Sequence, residues 1–129
     1  MRDITKIIIH CTATPEGRDV SVDTIRQWHL DRGWSDIGYH YIIDLEGNLH
    51  EGRPVERQGA HVRGYNKGSI GITYVGGVDS NMKPKDTRTD KQKGRLEALI
   101  MDLMNGHPNS TIHGHNEFSS KACPSFDVQ

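Results

Sequence analysis

The sequence has little of what marks a nucleic-acid-binding or membrane protein. Its formal net charge is -1, and only 6% of its residues are aromatic. The composition therefore indicates neither a basic surface that would attract phosphates nor a set of aromatic side chains on which bases could stack. No apolar run approaches the roughly 20 residues that a membrane span requires. The composition predicts neither a nucleic-acid partner nor a membrane segment.

The sequence is also poor in cysteine, with only Cys11 and Cys123 among its 129 residues. The N-terminus shows no charged and apolar leader that ends in small residues, so no secretory signal is indicated. We expect the chain to be made in the cytoplasm, where thiols stay reduced. The two cysteines are therefore predicted to be free thiols rather than a disulfide.

What the sequence does contain fits one α/β domain. A length of 129 residues is sufficient for a single domain with its own core, and no repeat, low-complexity tract or linker divides it. N-cap residues followed by helical spacing predict helices that begin after Ser21 and Thr89. Residues 12–20 and 76–88 are predicted loops, the second exposed and mobile. β-branched and alternating segments predict strands at residues 4–10, 38–43, 49–52, 69–75 and 111–113.

Apolar spacing predicts which face of each helix is buried. The first helix carries Ile25 and Trp28 on the face expected to pack on the sheet, with His29 as a packing residue. Gly71, inside a predicted strand, indicates the close approach of another element. The second helix carries an apolar stripe at helical spacing, formed by Leu96, Leu99, Ile100, Leu103 and Met104. Both helices are thus expected to cover the sheet.

The last quarter of the chain concentrates residues that can bind a metal. Residues 111–124 place histidine, Lys121 and Cys123 on one short loop. Imidazole and thiolate are favoured ligands of zinc, and a nearby lysine can offer positive charge to a developing oxyanion. The loop is predicted to supply two metal ligands and a catalytic cation, so a third ligand must come from elsewhere in the chain.

His10 is the best candidate for that third ligand because it ends the first predicted strand. Alternation along the strand places His10 on the face of Ile8, whereas Cys11 points to the opposite face with Ile9. His10 and Cys11 are therefore not expected to bind one metal together, and Cys11 is predicted to lie in the core. Taken alone, His10 would more often be an ordinary core histidine with satisfied hydrogen bonds.

Several sequence blocks carry a family resemblance when they are taken together and in order. They are residues 9–14, 25–29, 33–40, 59–61, 66–72 and 121–124. With these blocks the chain resembles the zinc-dependent N-acetylmuramoyl-L-alanine amidases of the type-2 amidase and peptidoglycan-recognition-protein family, and it looks closest to the short phage lysozyme-type amidases. The resemblance implies an α/β fold in which residues 1–129 form a single domain, with a central mixed β-sheet flanked by helices and zinc in a surface cleft.

The resemblance also implies a metal site and a reaction. The family's ligand positions fall on His10, His115 and Cys123, which would hold one Zn²⁺ per chain. Its catalytic positions fall on Tyr39 and Lys121. The implied reaction is hydrolysis of the amide bond between N-acetylmuramic acid and L-alanine in bacterial peptidoglycan, so peptidoglycan or muropeptides are the expected partner.

The expected chemistry follows from three protein ligands and one open coordination position, which is the catalytic arrangement of zinc. The metal would lower the pKa of a bound water to about 7 and polarise the scissile carbonyl. Lys121 would stabilise the oxyanion, a contribution typically of about 3–4 kcal/mol. Tyr39 would position the water or the carbonyl. The general base stays open between Tyr39 and a zinc-bound hydroxide acting alone.

Further residues of the family blocks are expected to surround the metal. His61, Asn66 and Thr12 are predicted substrate contacts, and His40 is predicted to support the site from behind the ligands; each of the two histidines could also take the other's role. Packing roles are an equal alternative for His40 and His61. His113 does not fall on a ligand position and is expected to be structural or supporting.

Two other functions would use the same family fold. A peptidoglycan receptor without catalysis is one, but recognition-only members typically lack the cysteine that Cys123 provides here. A cytosolic amidase that recycles muropeptides is the other, but those relatives usually have aspartate as the third ligand. We therefore expect a phage or prophage lysin that reaches the cell wall after release, with a partner holin that opens the membrane. The sequence predicts no oligomeric state.

Overall fold

The computed structural model describes residues 2–129 and shows a mixed β-sheet with a helix on each face. Five strands form the main sheet in the order β4-β3-β5-β1-β7, in which only β4 is antiparallel to its neighbour. The predicted α/β class with a mixed sheet flanked by helices is confirmed. The strands are β1 (Lys6–Cys11), β2 (Thr14–Pro15), β3 (Tyr41–Ile43), β4 (Leu49–Glu51), β5 (Ser69–Tyr74), β6 (Gly77–Val78) and β7 (Thr111–Gly114), and the helices are α1 (Val22–Asp31) and α2 (Asp90–Gly106).

Strand β1 is an interior strand of the main sheet, and both of its faces are buried. It pairs in parallel with β5 and β7, and every residue after Lys6 in the strand is buried. Ile7, Ile9 and Cys11 pack in the core cluster that contains α2, as the alternation predicted. A continuous apolar run of this kind is typical of a parallel strand that is covered on both sides.

Both helices begin at the predicted caps. The Ser21 side chain accepts a hydrogen bond from Thr24 N, and Thr89 forms a capping box with Gln92. Helix α2 is amphipathic, and its predicted stripe supplies the buried residues Leu96, Leu99 and Leu103. Among residues 2–129, no helix is long and apolar enough to cross a membrane.

Helix α1 packs on the sheet by Ile25, as predicted, but not by Trp28. Ile25 and His29 are buried, whereas Trp28 is 37% exposed. The prediction that Trp28 packs on the sheet was wrong, because residues four apart share a helix face and His29 therefore completes the face of Ile25. His29 is a packing residue, as expected, and its Nδ1 accepts a hydrogen bond from Gly38 N at 2.8 Å.

A second, two-stranded sheet lies where the sequence predicted only loops. Strands β2 and β6 pair in parallel, and Gly77 and Val78 are buried. Gly77 has a φ of +106°, and a Cβ there would overlap Cys11 Sγ, so glycine is required. The prediction of an exposed loop over residues 76–88 was therefore wrong at these residues and at Thr87, whose buried hydroxyl accepts from Gly77 N. Two-residue strands are too short to leave a periodic pattern.

Strand β3 begins at Tyr41, three residues later than predicted. The reason is that the backbone of Gly38 bonds outside the sheet: its N–H donates to His29 Nδ1 and its carbonyl accepts from Ala60 N. A Cβ at residue 38 would overlap the Ala60 carbonyl. Tyr39 therefore precedes the strand, and its ring centroid lies 5.2 Å from that of His10.

Candidate metal centre and cleft

His10 lies on the buried side of the site and is 1% exposed. Its two ring nitrogens face different neighbours, with Nδ1 3.8 Å from Cys123 Sγ and Nε2 2.9 Å from His61 Nδ1. Burial, and then electrostatic repulsion from His61, His115 and Lys121, lowers the pKa of His10 well below its usual value. The imidazole is therefore neutral at neutral pH, which is the form that binds a metal.

Strand β7 brings His115 to the same place. Gly114 is the register partner of Ile9, so the chain leaves the sheet beside His10 and enters a 3-10 turn over His115–Glu117. The ring centroids of His10 and His115 lie 4.7 Å apart. Burial, and then the charge of Lys121, lowers the pKa of His115 as well. Two neutral imidazoles thus meet at one end of the sheet.

A carboxylate clamp holds the turn that carries His115. Glu117 Oε2 accepts from Gly114 N at 2.7 Å, and Glu117 Oε1 lies 2.9 Å from His113 Nδ1. The other ring nitrogen of His113 lies 2.6 Å from the Thr111 hydroxyl. His113 therefore braces the turn and is not one of the grouped ligands, in line with its predicted structural role.

Cys123 reaches the site from the C-terminal loop. The backbone N–H of Cys11 donates to Cys123 Sγ at 3.1 Å, and both thiols are free, as predicted. The Tyr74 hydroxyl donates to the Pro124 carbonyl at 2.6 Å, and Ser125 Oγ donates to a carbonyl of β6 at 2.7 Å. These bonds anchor the residues that follow Cys123 to the end of the main sheet and to β6.

The three side chains form a group that can hold a metal ion. The ligand atoms of His10, His115 and Cys123 all lie within 4.8 Å of one another. A tetrahedral zinc with bonds of about 2.0–2.3 Å needs its ligand atoms about 3.3–3.7 Å apart, so small side-chain movements suffice. Hydrogen bonding with Cys11 and burial raise the pKa of the Cys123 thiol, but a coordinated divalent cation deprotonates a thiol outright. The donor set fits zinc and leaves one tetrahedral position for another ligand.

A cavity of about 610 Å³ opens beside these ligands. Within the described part of the chain, residues 2–129, its lining contains no aspartate or glutamate, whereas the cationic side chains of Arg32, Arg63 and Lys121 take part in it. Aromatic side chains, among them Trp34 and Phe118, form much of the remaining wall. A cleft with this lining favours ligands or transition states that carry negative charge.

The predicted catalytic pair, Tyr39 and Lys121, both line this cavity. Burial, and then the neighbouring Cys123 and Cys11, raises the pKa of Tyr39, so its hydroxyl keeps its proton and can donate a hydrogen bond. Lys121 is exposed and lies two residues before Cys123. Its charge contributes to the lowered pKa of His10, so Lys121 lies within electrostatic reach of the ligands.

Two of the predicted substrate contacts, His61 and Asn66, line the cavity. Asn66 Oδ1 accepts from the backbone N–H groups of His61 and Val62, so this side chain shapes the loop around His61. His40 does not line the cavity and lies behind His61, with ring centroids 5.8 Å apart. Its Nδ1 accepts from Gly71 N at 3.0 Å. The structure thus places His40 behind the ring that contacts His10.

Thr12 is the predicted contact that the structure does not bring to the cavity. Its hydroxyl lies 2.7 Å from the Thr14 hydroxyl and accepts from Gly76 N at 2.9 Å. The Thr12 side chain therefore forms hydrogen bonds at the junction between the two sheets. Arg32, Trp34 and Phe118 also line the cavity, although no site role was predicted for them. Trp34 lies in the family block 33–40, and all three lie in or next to glycine-containing or irregular segments.

Comparison with known proteins identifies the family of the chain. The family model for N-acetylmuramoyl-L-alanine amidase matches residues 1–126. The chain is 40% identical over 128 residues to an endolysin of Enterobacteria phage K11, with 99% of this chain and 85% of that protein covered. It is 41% identical over 123 residues to an endolysin of Escherichia phage T7, with 95% and 82% covered.

A solved structure shows the same fold. The endolysin N-acetylmuramoyl-L-alanine amidase LysCS from Clostridium intestinale URNW superimposes with a TM-score of 0.84 at 28% sequence identity. The match covers 98% of this chain and 78% of that one. The likeness therefore extends over the main sheet and both helices.

Proposed function

This chain belongs to the N-acetylmuramoyl-L-alanine amidase family, and we propose that it is a zinc enzyme that cuts the peptidoglycan of a bacterial cell wall. The family match over residues 1–126 and the identity of about 40% to phage endolysins make it an amidase of the endolysin type. One observation carries the zinc proposal. His10, His115 and Cys123 have their ligand atoms grouped in space, although 113 positions separate the first from the last.

The protein holds these three ligands in positions, and the two imidazoles in a protonation state, that favour binding of a cation. We propose that His10 binds through Nδ1, which faces Cys123 Sγ, and that His115 and Cys123 complete the set. Burial keeps both imidazoles neutral, and the Cys11 N–H donates to the sulfur that must carry negative charge. When bound, zinc polarises the scissile carbonyl and lowers the pKa of a water molecule to about 7.

Tyr39 would act on the substrate from a partly buried position, and Lys121 would act from an exposed loop. Because burial raises the pKa of Tyr39, its hydroxyl is suited to donate a hydrogen bond and orient the amide rather than to accept a proton. Lys121, on the exposed loop, would donate to the oxyanion that forms when the amide is attacked. A donor in that position typically contributes about 3–4 kcal/mol to the lowering of the barrier.

The cleft suits a peptidoglycan strand with its stem peptide. The scissile amide joins the lactyl group of N-acetylmuramic acid to L-alanine, so a sugar and a peptide must lie on either side of the metal. Trp34 and Phe118 offer apolar faces, and Arg32 and Arg63 offer charges that complement carboxylates of the peptide. We propose that the protein reaches this substrate after release from the cell that makes it, with a holin opening the membrane.

The test combines metal analysis with digestion of purified sacculi. We expect one zinc per chain, loss of activity when the metal is removed by a chelator, and recovery when zinc is returned. Mass spectrometry of the products should show stem peptides with a free L-alanine amino group, together with glycan strands that no longer carry stem peptides. Full hydrolysis by metal-stripped protein would contradict zinc dependence. Binding without cleavage would indicate a receptor, and a preference for soluble fragments over sacculi would indicate a recycling enzyme.

A further inference from the structure

The ring of His61 is held in one orientation from several sides. Both ring nitrogens are bonded inside the protein, with Nδ1 2.9 Å from His10 Nε2 and Nε2 3.2 Å from Ser69 Oγ. A Cβ at Gly71 would stand 2.6 Å from the ring Cγ, and one at Gly59 would stand 2.8 Å from Cδ2. The close approach that Gly71 predicted is confirmed, because the ring fills space that these two glycines leave.

Three hydrogen bonds run in series from His10 to His61, from His61 to Ser69 and from Ser69 to Asn66. Their directions can be assigned by starting at Asn66. The Asn66 backbone carbonyl can only accept, and Ser69 Oγ lies 3.3 Å from it, so we assign the one proton of the hydroxyl to this bond. Ser69 Oγ then accepts from His61 Nε2. A neutral imidazole carries one N–H, so His61 Nδ1 is an acceptor and His10 Nε2 must donate to it. His10 Nδ1 is left with a free lone pair on the side of Cys123.

From this geometry we propose that His61 is a positioning residue, which accepts a hydrogen bond from His10 Nε2 and thereby fixes His10 Nδ1 as the atom presented to the metal. The inference rests on the proposed function, since it requires zinc at the site. A partner that fixes the tautomer and ring orientation of a metal-binding histidine typically changes metal affinity roughly 10- to 100-fold. His61 acts through His10, because neither of its ring nitrogens is free for a substrate.

Three substitutions separate the hydrogen bond from the shape of the side chain. In asparagine, the amide oxygen takes the place of imidazole Nδ1 and can accept from His10 Nε2. In glutamine, the amide takes the place of Nε2 and leaves the Nδ1 position empty. We therefore expect His61→Asn to bind zinc nearly as tightly as the wild type, whereas His61→Gln and His61→Ala should bind it roughly 10- to 100-fold more weakly.

The zinc dissociation constant is measured by competition with a chromophoric chelator on metal-stripped protein at a fixed neutral pH. Imidazole nitrogen NMR shifts of the zinc-loaded protein report which nitrogen of His10 carries the proton, and we expect Nε2 in the wild type and in His61→Asn. Circular dichroism and thermal unfolding establish that each variant is folded. If the His61 variants do not fold, Ser69→Ala replaces them, because it frees the His61 ring to adopt the other tautomer and should also weaken zinc binding.

The proposal is wrong if His61→Ala and His61→Gln, or Ser69→Ala in their place, bind zinc as tightly as the wild type. It is equally wrong if all three His61 variants weaken binding to the same extent, because packing rather than the acceptor would then matter. A raised KM with unchanged zinc affinity would make His61 a substrate contact instead. Failure of the proposed function is distinguishable, since the wild-type protein itself would then bind no zinc.

Discussion

The metal centre joins two regions of the molecule that are built in different ways. His10 lies on a buried strand between two others, and the ring of His61 closes the space beside it. His115 and Cys123 lie on a C-terminal segment that is largely exposed and irregular, with one short 3-10 turn. Core packing shapes the first region, whereas a few hydrogen bonds shape the second. Metal binding should therefore depend on both regions, and the stability of the fold mainly on the first.

The largest effects are expected when one ligand is removed from each region. Cys123→Ser should abolish zinc binding and hydrolysis while leaving the free energy of unfolding of the metal-stripped protein nearly unchanged. His10→Ala should abolish both as well, but it should also lower that free energy by about 1–3 kcal/mol, because it leaves the buried His61 Nδ1 without a partner. Metal analysis and denaturant unfolding of the stripped proteins measure the two quantities.

The matched control for these variants is Cys11→Ala. It removes the neighbouring thiol from the core but no proposed ligand, so zinc should stay bound. Zinc bound to Cys123→Ser with wild-type affinity would contradict the ligand assignment. Equal losses of unfolding free energy in the two ligand variants would contradict the contrast between the regions.

Lys121→Ala should give the next largest effect, and only on catalysis. We expect zinc to stay bound and kcat to fall roughly 100- to 1,000-fold, because a donor to the oxyanion is lost. The free energy of unfolding should not change, since Lys121 is exposed. Lys121→Arg, which keeps the charge, should recover part of the activity. Wild-type turnover of Lys121→Ala on sacculi would remove this residue from the mechanism.

The free energy of unfolding should decrease at acid pH because of histidines in the buried region. Burial lowers the pKa of His29 and of His40 to about 4, whereas a histidine in the unfolded chain titrates near 6.5. Between these values the unfolded state binds more protons, so the free energy of unfolding should fall as the pH is lowered from about 6.5 to about 4, by about 1.4 kcal/mol per pH unit for each histidine.

His29→Asn tests the origin of this pH dependence. Its amide oxygen can still accept from Gly38 N, but it does not titrate. Denaturant unfolding over a series of pH values should show a slope reduced by about 1.4 kcal/mol per pH unit. An unchanged slope would assign the acid sensitivity to other groups.

The smallest effect is expected from the carboxylate clamp of the exposed region. Glu117→Ala leaves Gly114 N and His113 without their acceptor, a loss of about 1–2 kcal/mol in the ordering of the turn that carries His115. Zinc affinity should fall roughly five- to thirtyfold, since about 1.4 kcal/mol corresponds to a factor of ten. Glu97→Ala removes an exposed carboxylate of α2 and should leave the affinity unchanged. A Glu117→Ala protein with wild-type zinc affinity would show that the turn needs no clamp.

The sequence was most informative where a local rule decides the structure. Alternation along β1 separated His10 from Cys11, and the structure places Cys11 in the core with α2. The caps at Ser21 and Thr89 form as predicted, because an N-cap satisfies backbone groups only a few residues away. The family blocks indicated His10, His115 and Cys123, whose possible ligand atoms the fold groups in space.

The sequence was least informative where a contact between distant segments decides the outcome. The bond from Gly38 N to His29 Nδ1 delays the start of β3, and the fit of Gly77 against Cys11 accompanies a short strand in a segment that was predicted to be a loop. The bond between His61 and His10 likewise depends on residues far apart in sequence, 51 positions in this case. His29 and Gly38 are only nine positions apart, but no periodic pattern or capping rule pairs them.

The distance along the chain between His10 and Cys123, 113 positions, has a consequence for biosynthesis. During translation β1 leaves the ribosome long before its neighbour β7 and the segment that carries His115 and Cys123. A polypeptide that stops short of Cys123 would therefore lack part of the proposed ligand group. The proposed hydrolytic activity thus requires synthesis at least as far as Cys123.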